Sequence, residues 1–220
     1  MTVAVLYSGG LDSAVLVAHE ALTARVHPLY VSAGLAWEAE ERQLARRLLD
    51  LPPFTSRVAP LVMLDFTVRD LYPGSHWAIS GAPPAYDTPD EDVYLVGRNL
   101  LLIAKGSIYC AQHQVPRLVL APLAGNPFPD ARPEFLSTMA AAVSLGLDHS
   151  LQVAAPFSHL HKEEVIRLGV ELGVPLEATM SCMNPEGGEH CGACSKCRER
   201  QQAFAVAGVN DPTTYRVRSR

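Results

Sequence analysis

The feature that most constrains the fold of this sequence is a glycine-containing turn that joins an apolar run to a helical pattern. Residues 3–7 are apolar with β-branched members, and the segment SGGLDS follows at positions 8–13. Residues 13–23 then have the apolar content of a mostly buried helix. Two adjacent glycines let the backbone turn sharply and approach an anion without a Cβ atom in the way, and the N–H groups of the following helix point at that anion. We therefore expect a strand–turn–helix unit that binds an anionic group.

The rest of the sequence continues to alternate apolar runs with helical patterns. The predicted strands are 3–7, 25–31, 56–64, 117–123 and 153–156, and the predicted helices are 13–23, 37–49, 98–112, 133–145, 162–172 and 194–206. This alternation predicts βαβ units, and hence an α/β fold with a mainly parallel sheet flanked by helices. Ligands bind such sheets beyond the carboxyl ends of the strands. The 8–13 turn follows the first strand and is expected at that edge.

Two further segments carry specific expectations. The helix over 37–49 is amphipathic, which places its leucines inward and its charged residues outward. The leucines are Leu44, Leu48 and Leu49, and the charged residues are Glu38, Glu40, Glu41, Arg46 and Arg47. Residues 72–93 hold four prolines, two glycines and several acids, so they are expected to form a lid, a binding loop or a partly disordered loop.

Composition narrows the class of protein. Hydrophobic residues make up 48% of 220 residues, enough for one large domain or a domain with a small appendage. No apolar run reaches the roughly 20 residues that span a bilayer, and the N-terminus lacks the basic lead of a signal peptide, so we expect a soluble, cytoplasmic protein. The net charge of −5 argues against a large nucleic-acid interface. Arg216, Arg218 and Arg220 are expected to form a frayed, solvated end.

Four of the five cysteines lie close together near the C-terminus. Cys182, Cys191, Cys194 and Cys197 have the spacing C-x8-C-x2-C-x2-C. In a reducing compartment this clustering predicts a closed structural Zn²⁺ site with four thiolates rather than disulfides. The alternatives are four free surface thiols, an iron–sulfur cluster, or substitution of one ligand by His190, which is otherwise a solvated loop residue. Cys110 is expected to be a buried, inert thiol.

The chemistry of the turn resembles that of a known superfamily. The Gly-Lys-Ser/Thr ending of a Walker A motif is missing. Ser8 and Ser13 can donate to phosphate oxygens, whereas Asp12 would orient the loop or hold Mg²⁺. The pattern resembles the PP-loop, or N-type ATP pyrophosphatase, superfamily, whose fold is Rossmann-like. This resemblance implies that ATP binds here and that its AMP part is transferred to a substrate oxygen.

Over nearly its full length the chain looks like the 7-cyano-7-deazaguanine synthase family within that superfamily. The matching segments are 8–13, Gly97-Arg98-Asn99, the stretch FPDARPEF at 128–135, Ser181-Cys182, and Cys191 to Arg200 with its three cysteines. The chain departs from the family pattern at Val96, where proline is usual, and at 124–128, where an acidic residue is missing. A deazaguanine presents hydrogen-bond donors that a carboxylate or carbonyl would accept. These departures leave the exact acceptor substrate open.

The resemblance implies an ATP-dependent carbon–nitrogen ligase that uses ATP, Mg²⁺ and ammonia to convert a deazapurine carboxylate into an amide and then a nitrile. It implies catalytic roles for Asp12, Ser13 and Arg98, and it relates Lys162 to a family lysine at what could equally be a solvated helix start. The residues implied to contact the nucleotide or lie near the substrate are Tyr7, Ser8, Gly9, Gly10, Leu11, Asp12, Ser13, Arg98, Asp130 and Arg132. The alternatives are purely structural roles, in which Arg98 pairs with the acids at 90–92 and Asp130 forms a local ion pair with Arg132.

The expected organisation is a PP-loop domain over 1–175 with a zinc-binding segment over 176–220 packed on it. A homodimer is implied by resemblance alone. The alternative functions are adenylation of another small-molecule or tRNA carbonyl or carboxylate, and nucleotide binding without turnover. The acidic chain and its single spare cysteine argue against tRNA thiolation.

Overall fold

The chain forms a five-stranded parallel sheet with helices on both faces, as expected of an α/β fold. A computed structural model describes residues 1–54 and 56–217. The strands are β1 (Thr2–Leu6), β2 (Arg25–Ser32), β3 (Val62–Asp65), β4 (Arg117–Val119) and β5 (Gln152–Ala154). The helices are α1 (Leu11–Ala21), α2 (Glu38–Leu49), α3 (Trp77–Ser80), α4 (Arg98–Gln112), α5 (Pro133–Leu147), α6 (Lys162–Glu171) and α7 (Ser195–Ala207).

The strand order determines where a ligand can bind. The sheet runs β3-β2-β1-β4-β5, and every neighbouring pair is parallel. The order therefore reverses between β1 and β4, because β2 and β3 lie on one side of β1 and the later strands on the other. A crevice forms at such a switch point outside the carboxyl ends of the strands. The 8–13 turn leaves β1 at this point.

The central strand β1 is buried on both faces. Val3 and Val5 pack in one core with residues of α1, α6 and α7, whereas Ala4 and Leu6 pack in a second core with residues of α4 and α5. Successive side chains of a strand point to opposite faces, so an uninterrupted apolar run suits a strand covered by helices on both sides. The N-terminal run thereby fixes β1, and with it the 8–13 turn, in the middle of the domain.

The third strand was expected too early in the sequence. Residues 56–64 were predicted as a strand, but β3 covers Val62–Asp65, and Val58 forms an isolated bridge to Val26. Pro60 lies between them and has no N–H group to donate to a sheet ladder. Regular pairing with β2 therefore starts after the proline.

The 72–93 segment is more ordered than a simple loop. It contains α3 and a 3-10 helix at Asp90–Val93. Contacts with Arg198 tie the segment to α7. The Arg198 guanidinium donates to the Tyr86 carbonyl at 2.7 Å and lies 3.4 Å from the Asp90 carboxylate. The segment is held against the body of the protein.

The C-terminal part packs on the same body as the rest of the chain. Ala203 and Phe204 of α7 belong to the core that contains α1 and α6. Arg216 is not frayed, since it pairs with Glu186 and donates to the Asn184 carbonyl at 2.8 Å. Arg218 and Arg220 lie outside the described residues. The boundary between residues 175 and 176 stays a prediction, as does the homodimer. Among the described residues, none of the helices has the length and apolar character needed to cross a membrane.

Candidate functional site

A cleft of about 560 Å³ opens at the carboxyl ends of β1, β2 and β4. The 8–13 turn forms one part of its wall together with the starts of α6 and α7. Residues of β2, α2, the segment before α4, the start of α4 and the 120–130 loop form most of the rest. The cleft therefore joins the predicted anion site to side chains from distant parts of the sequence.

Hydrogen bonds between its two serines hold the turn in shape. The Ser13 hydroxyl donates to the Gly10 carbonyl at 3.0 Å and lies 3.3 Å from the Ser8 hydroxyl. The Ser8 hydroxyl accepts the Gly10 N–H at 3.2 Å. Both serines line the cleft. Their hydroxyl groups are thus fixed where a phosphate oxygen could be bound.

The turn also presents unsatisfied backbone donors. Within the described chain, the N–H groups of Leu11, Asp12 and Ser13 have no hydrogen-bond acceptor, whereas that of Ala14 donates to the Gly10 carbonyl at 2.9 Å. These are the first N–H groups of α1, which no side chain caps. Unpaired donors at a helix N-terminus attract anions. The start of α1 therefore has the free donors that an anion-binding surface needs.

Gly9 is required by packing as well as by backbone conformation. Its φ is +79°, and a Cβ atom there would lie 2.9 Å from the Ala45 Cα of α2. Any larger residue would be strained and would push the turn away from α2. Gly9 itself does not line the cleft, so its contribution to the site is to let the turn lie close to α2.

Lys162 joins the turn to α7 through two carboxylates. Its ammonium group lies 2.6 Å from the Asp12 carboxylate and 3.0 Å from that of Glu199, and Glu199 in turn lies 2.6 Å from Lys196. Burial would lower the pKa of Lys162, but the two carboxylates outweigh that effect and raise it. The alternative of a solvated helix start is wrong, because the Lys162 side chain is 17% exposed.

Lys162 reaches this position because α6 starts next to the cleft. His161 and Glu164 form a capping box, in which the Glu164 carboxylate accepts the His161 N–H at 2.7 Å. This arrangement begins the helix at Lys162. The other oxygen of Asp12, Oδ1, is buried without a hydrogen-bond partner in the described residues. It is available to a cation or a water molecule.

Arg98 contributes a guanidinium group to the part of the wall that the 8–13 turn does not form. It begins α4 after Gly97, whose φ is +76°. Within the residues described, Arg98 makes no ion pair, and its Nε is buried without a partner. The alternative that it pairs with the acids at 90–92 is therefore wrong, since Asp90 contacts Arg198 instead. A guanidinium with unused donors suits a planar anion such as a carboxylate or phosphate.

Asp130 fixes the start of α4 next to Arg98. It accepts the Asn99 backbone N–H at 3.0 Å and the Asn99 side-chain amide at 3.2 Å. The alternative of an ion pair with Arg132 is wrong, because Asp130 is buried and makes no ion pair in the described residues, whereas Arg132 is exposed. Burial raises the pKa of Asp130, although the Asn99 bonds and the Arg98 charge oppose the rise. Asp130 lines the cleft, so it can both orient α4 and meet a ligand.

The four predicted metal ligands converge. The sulfur atoms of Cys182, Cys191, Cys194 and Cys197 all lie within 4.8 Å of one another. The Cys191–Cys197 and Cys194–Cys197 sulfur distances are 3.8 and 3.6 Å. Four thiolates around a tetrahedral Zn²⁺ at about 2.3 Å would lie about 3.8 Å apart. The arrangement fits Zn²⁺ and excludes four separate surface thiols.

Backbone donors surround these sulfur atoms. The Cys182 sulfur accepts the N–H groups of Asn184 and Cys191 at 3.2 Å each, and the Cys197 sulfur accepts that of Gly192 at 3.4 Å. Such donors stabilise the negative charge of thiolates and orient the ligands of a metal. Cys110 is buried in a separate core, where burial raises its pKa to about 12, as expected for an inert thiol.

We expect purified protein to contain one zinc ion per chain. Because such sites supply folding energy, a strong chelator should lower the midpoint of thermal unfolding by at least about 5 °C. Elemental analysis and a melting curve measure these effects. Cys182→Ala should lose the metal, whereas the matched Cys110→Ala should keep it. Iron in place of zinc, or no metal, would contradict the assignment.

Comparison with known proteins agrees with this geometry. A family model described as queuosine biosynthesis protein QueC matches residues 2–208. A 7-cyano-7-deazaguanine synthase from Methanopyrus kandleri is 32% identical over 229 residues, which cover 97% of this chain and 98% of the relative. Another, from Thiobacillus denitrificans, is 33% identical over 223 residues, 96% of each chain. The chain belongs to the QueC family.

A distantly similar chain is found among the solved structures. A predicted tRNA methyltransferase subunit from Methanocaldococcus jannaschii has a TM-score of 0.46 and 16% identity, over 78% of this chain and 76% of that chain. The QueC match, in contrast, extends over nearly the whole chain and includes the turn and all four cysteines.

Most of the site residues predicted from the QueC resemblance are brought together, with two exceptions. The residues that line the cleft are Tyr7, Ser8, Gly10, Leu11, Asp12, Ser13, Arg98 and Asp130. Gly9 lies behind the turn, and Arg132 is an exposed residue at the start of α5 that does not line the cleft. Arg132 points to solvent because it precedes the first turn of α5, whereas the Asp130 side chain turns back to α4.

His190 and Arg200 support the cysteine segment of this QueC member from inside. His190 was expected to be solvated, but it is 2% exposed, and its Nε2 accepts the Ser181 N–H at 3.1 Å. Burial lowers its pKa to about 3, which keeps it neutral. Arg200 is also 2% exposed and donates to Thr213 at 2.7 Å and to Thr179 at 2.9 Å. Both residues hold the segment in place without being metal ligands.

Two acids of α2 were placed on the wrong face by the amphipathic pattern. Glu38 and Glu41 were expected outward, but they are 4% and 8% exposed. Glu38 accepts hydrogen bonds from the Ser32 hydroxyl and the Ala33 and Gly34 N–H groups, which fixes the end of β2. Glu41 lines the cleft. Burial raises the pKa of Glu41 to about 7, although the charge of Arg98 opposes the rise.

Proposed function

We propose that this chain is an ATP-dependent carbon–nitrogen ligase that adenylates a carboxylate and aminates it with ammonia. The acceptor is 7-carboxy-7-deazaguanine and the product is the nitrile 7-cyano-7-deazaguanine, as the names of its relatives suggest. The observation that carries the proposal is one cleft that unites unpaired helix N–H groups with the unpaired guanidinium of Arg98. A nucleotide and an anionic acceptor can bind there side by side.

The turn supplies the binding site for the leaving group. The N–H groups of Leu11, Asp12 and Ser13, together with the Lys162 ammonium, face the β- and γ-phosphates of ATP. As the substrate carboxylate attacks the α-phosphate, negative charge develops on the departing pyrophosphate, and fixed donors stabilise it. Arg98 orients the attacking carboxylate or the α-phosphate.

Mg²⁺ fits the unused oxygen of Asp12. This Oδ1 atom is buried and has no hydrogen-bond partner in the described residues, and a hard oxygen ligand of this kind suits the ion. An ion held by this oxygen would supply positive charge that offsets the charge of the phosphates. Lys162 holds Asp12 through its other oxygen and so keeps Oδ1 directed at the site.

Ammonia displaces AMP from the acyl adenylate, loses a proton and gives the primary amide. A second ATP must then adenylate the amide oxygen with release of pyrophosphate, and loss of that oxygen as AMP, with a proton from nitrogen, gives the nitrile. A carboxylate oxygen is a poor leaving group, whereas AMP is a good one, and this difference explains the need for the nucleotide. The acyl adenylate must be kept from water until ammonia arrives. Val93 at the end of the 72–93 segment and Tyr94 just after it line the cleft, and the Arg198 contacts hold that segment in place. The segment limits the access of water.

We expect the protein to release AMP and pyrophosphate when it is incubated with ATP, Mg²⁺, ammonium and 7-carboxy-7-deazaguanine. Nitrile should form with the acceptor present, and little AMP should appear without it. Chromatography of the nucleotides and mass spectrometry of the deazapurine measure both. Asp12→Ala should lower turnover at least about 100-fold, because the turn loses the carboxylate that Lys162 holds.

Other product patterns would contradict the proposal. Release of ADP and phosphate would contradict attack at the α-phosphate. AMP release that requires a different carboxylate would retain the ligase chemistry and replace the acceptor. Binding of ATP without any turnover would leave a nucleotide-binding protein.

A further inference from the structure

Glu41 is a buried carboxylate in the wall of the cleft. Helix α2 carries two buried acids, and their surroundings differ. Both oxygens of Glu38 are engaged by Ser32, Ala33 and Gly34, so its role is structural. Glu41 has one hydrogen bond in the described part of the chain, from the Tyr30 hydroxyl to Oε2 at 2.7 Å. A carboxylate can accept about four hydrogen bonds. Glu41 therefore keeps acceptor capacity that faces the cleft.

The other carboxylates of the cleft are committed to different contacts. Asp12 and Glu199 bind Lys162, and Asp130 accepts both hydrogen bonds from Asn99. Asp90 lies against Arg198. Glu163 follows Lys162 at the start of α6, on the wall that carries the turn. Glu41 and Asp130 are the two buried carboxylates of the cleft that make no ion pair in the described residues, and Glu41, with one hydrogen bond against two, keeps the greater acceptor capacity.

The wall segment 124–128 does not offer such an acceptor. It contributes Ala124, Gly125, Asn126, Pro127 and Phe128 to the cleft, and none of them carries a carboxylate. The Asn126 side-chain oxygen is already occupied, because it accepts the Phe128 N–H at 2.9 Å. A ligand with strong hydrogen-bond donors must therefore find its carboxylate on another element.

Glu41 and Arg98 form a complementary pair in the wall of the cleft. The positive charge of Arg98 is close enough to lower the pKa of Glu41, yet the two groups make no ion pair in the described residues. The Arg98 guanidinium donates hydrogen bonds and the Glu41 carboxylate accepts them. The pair therefore suits a ligand edge that presents acceptors to Arg98 and donors to Glu41. In 7-carboxy-7-deazaguanine, the carboxylate and the ring carbonyl lie side by side, followed by the ring N–H and the exocyclic amino group.

We propose that Glu41 is the specificity-determining residue that accepts hydrogen bonds from the ring N–H and the amino group of the acceptor, while Arg98 binds its carboxylate and carbonyl oxygens. This role rests on the proposed function, because it needs an amino-pyrimidinone acceptor. It supplies from α2 the acceptor group that residues 124–128 lack. Tyr30 orients the carboxylate through its hydroxyl hydrogen bond.

The test compares two acceptors in wild type and in Glu41→Gln. The first is 7-carboxy-7-deazaguanine, and the second is the same compound without its amino group. A bidentate contact to a base edge is worth about 10- to 100-fold in discrimination. Wild type should prefer the amino compound by that factor in kcat/KM. Glu41→Gln should lose most of the preference through a higher KM for the amino compound. The kcat/KM for the other acceptor and the KM for ATP should change less than about threefold.

Two variants serve as controls. Glu40→Gln removes a neighbouring charge on the same helix and should keep the wild-type preference. Tyr30→Phe removes the group that orients Glu41 and should reduce the preference partly. A Glu41→Gln variant that affects both acceptors equally would show a structural role and overturn the proposal. A raised KM for ATP would overturn it too, because Glu41 would then contact the adenine amino group.

The folding of Glu41→Gln can be checked independently. The titratable groups near Glu41 are the neutral phenols of Tyr7 and Tyr30 and the carboxyl of Glu38, and the cation near it is Arg98. Burial raises the pKa of Glu41 from 4.5 to about 7. Such a group destabilises the fold as pH rises from about 4.5 to 7, because the folded state resists ionisation. The amide does not ionise, so at pH 8 the variant should unfold at or above the wild-type temperature.

Failure of the proposed function would look different from failure of this role. Wild type that neither binds nor converts either compound would refute the proposed function, and the role of Glu41 with it. Wild type that converts the amino compound, beside a Glu41→Gln variant with unchanged preference, would refute only the role of Glu41.

Discussion

Lys162→Met is expected to abolish ATP-dependent turnover and to destabilise the protein. The ammonium group lies between the Asp12 and Glu199 carboxylates, and its side chain is 17% exposed. Its removal leaves two partly buried carboxylates facing each other, at a cost of about 2–4 kcal/mol. We expect a thermal midpoint about 5–10 °C lower and kcat/KM for ATP at least about 1000-fold lower. Calorimetry and the AMP assay measure the two effects.

A double variant separates the structural effect from the chemical one. Lys162→Met with Glu199→Gln removes one of the unpaired carboxylate charges, so the thermal midpoint should recover by several degrees. Turnover should not recover, since no ammonium group replaces that of Lys162 beside Asp12. Recovery of both properties would mean that Lys162 acts on stability alone.

Arg98→Met is expected to lower kcat/KM by about 100- to 1000-fold with little change in stability. Arg98 makes no ion pair among the residues described here, and its Nε has no hydrogen-bond partner. The folded state therefore loses no intramolecular bond, whereas the bound acceptor or α-phosphate loses its guanidinium. Steady-state kinetics with varied acceptor and a melting curve test the two statements together.

Arg132→Met is the matched control for Arg98. Arg132 is an exposed arginine at the start of α5, outside the cleft. Its removal changes net charge by the same amount and should alter kcat/KM less than twofold. Equal losses in the two variants would point to long-range electrostatics rather than contact with a ligand.

The sequence predicts the order of elements well where local signals are strong. Apolar runs and the 8–13 turn identify β1, β2, α1 and their parallel arrangement. The position of β3 is missed because Pro60 moves regular pairing beyond the run that contains Val58. The cysteine spacing predicts a cluster correctly, since two x2 steps bring thiolates together whatever the rest of the chain does.

The site is predicted less completely because long-range contacts build it. Lys162 of α6 meets Asp12 in the first turn of α1 and Glu199 of α7, and no local pattern pairs these residues. Glu41 is missed because a charged residue was assumed to face solvent. A signal was present in the spacing, since Glu38, Glu41, Ala45 and Leu48 form one stripe on α2 and all four are buried.

Helix α7 belongs to two sites at once. Cys197 in its first turn is a predicted metal ligand, and Lys196 and Glu199 on either side of it line the cleft. A segment that takes its shape around an ion can deliver those two side chains only after the ion has bound. During synthesis of the chain, loading of the thiolates would therefore precede competence for nucleotide. Removal of the metal by a chelator should accordingly weaken ATP binding in an equilibrium titration, even though every residue of the 8–13 turn is intact.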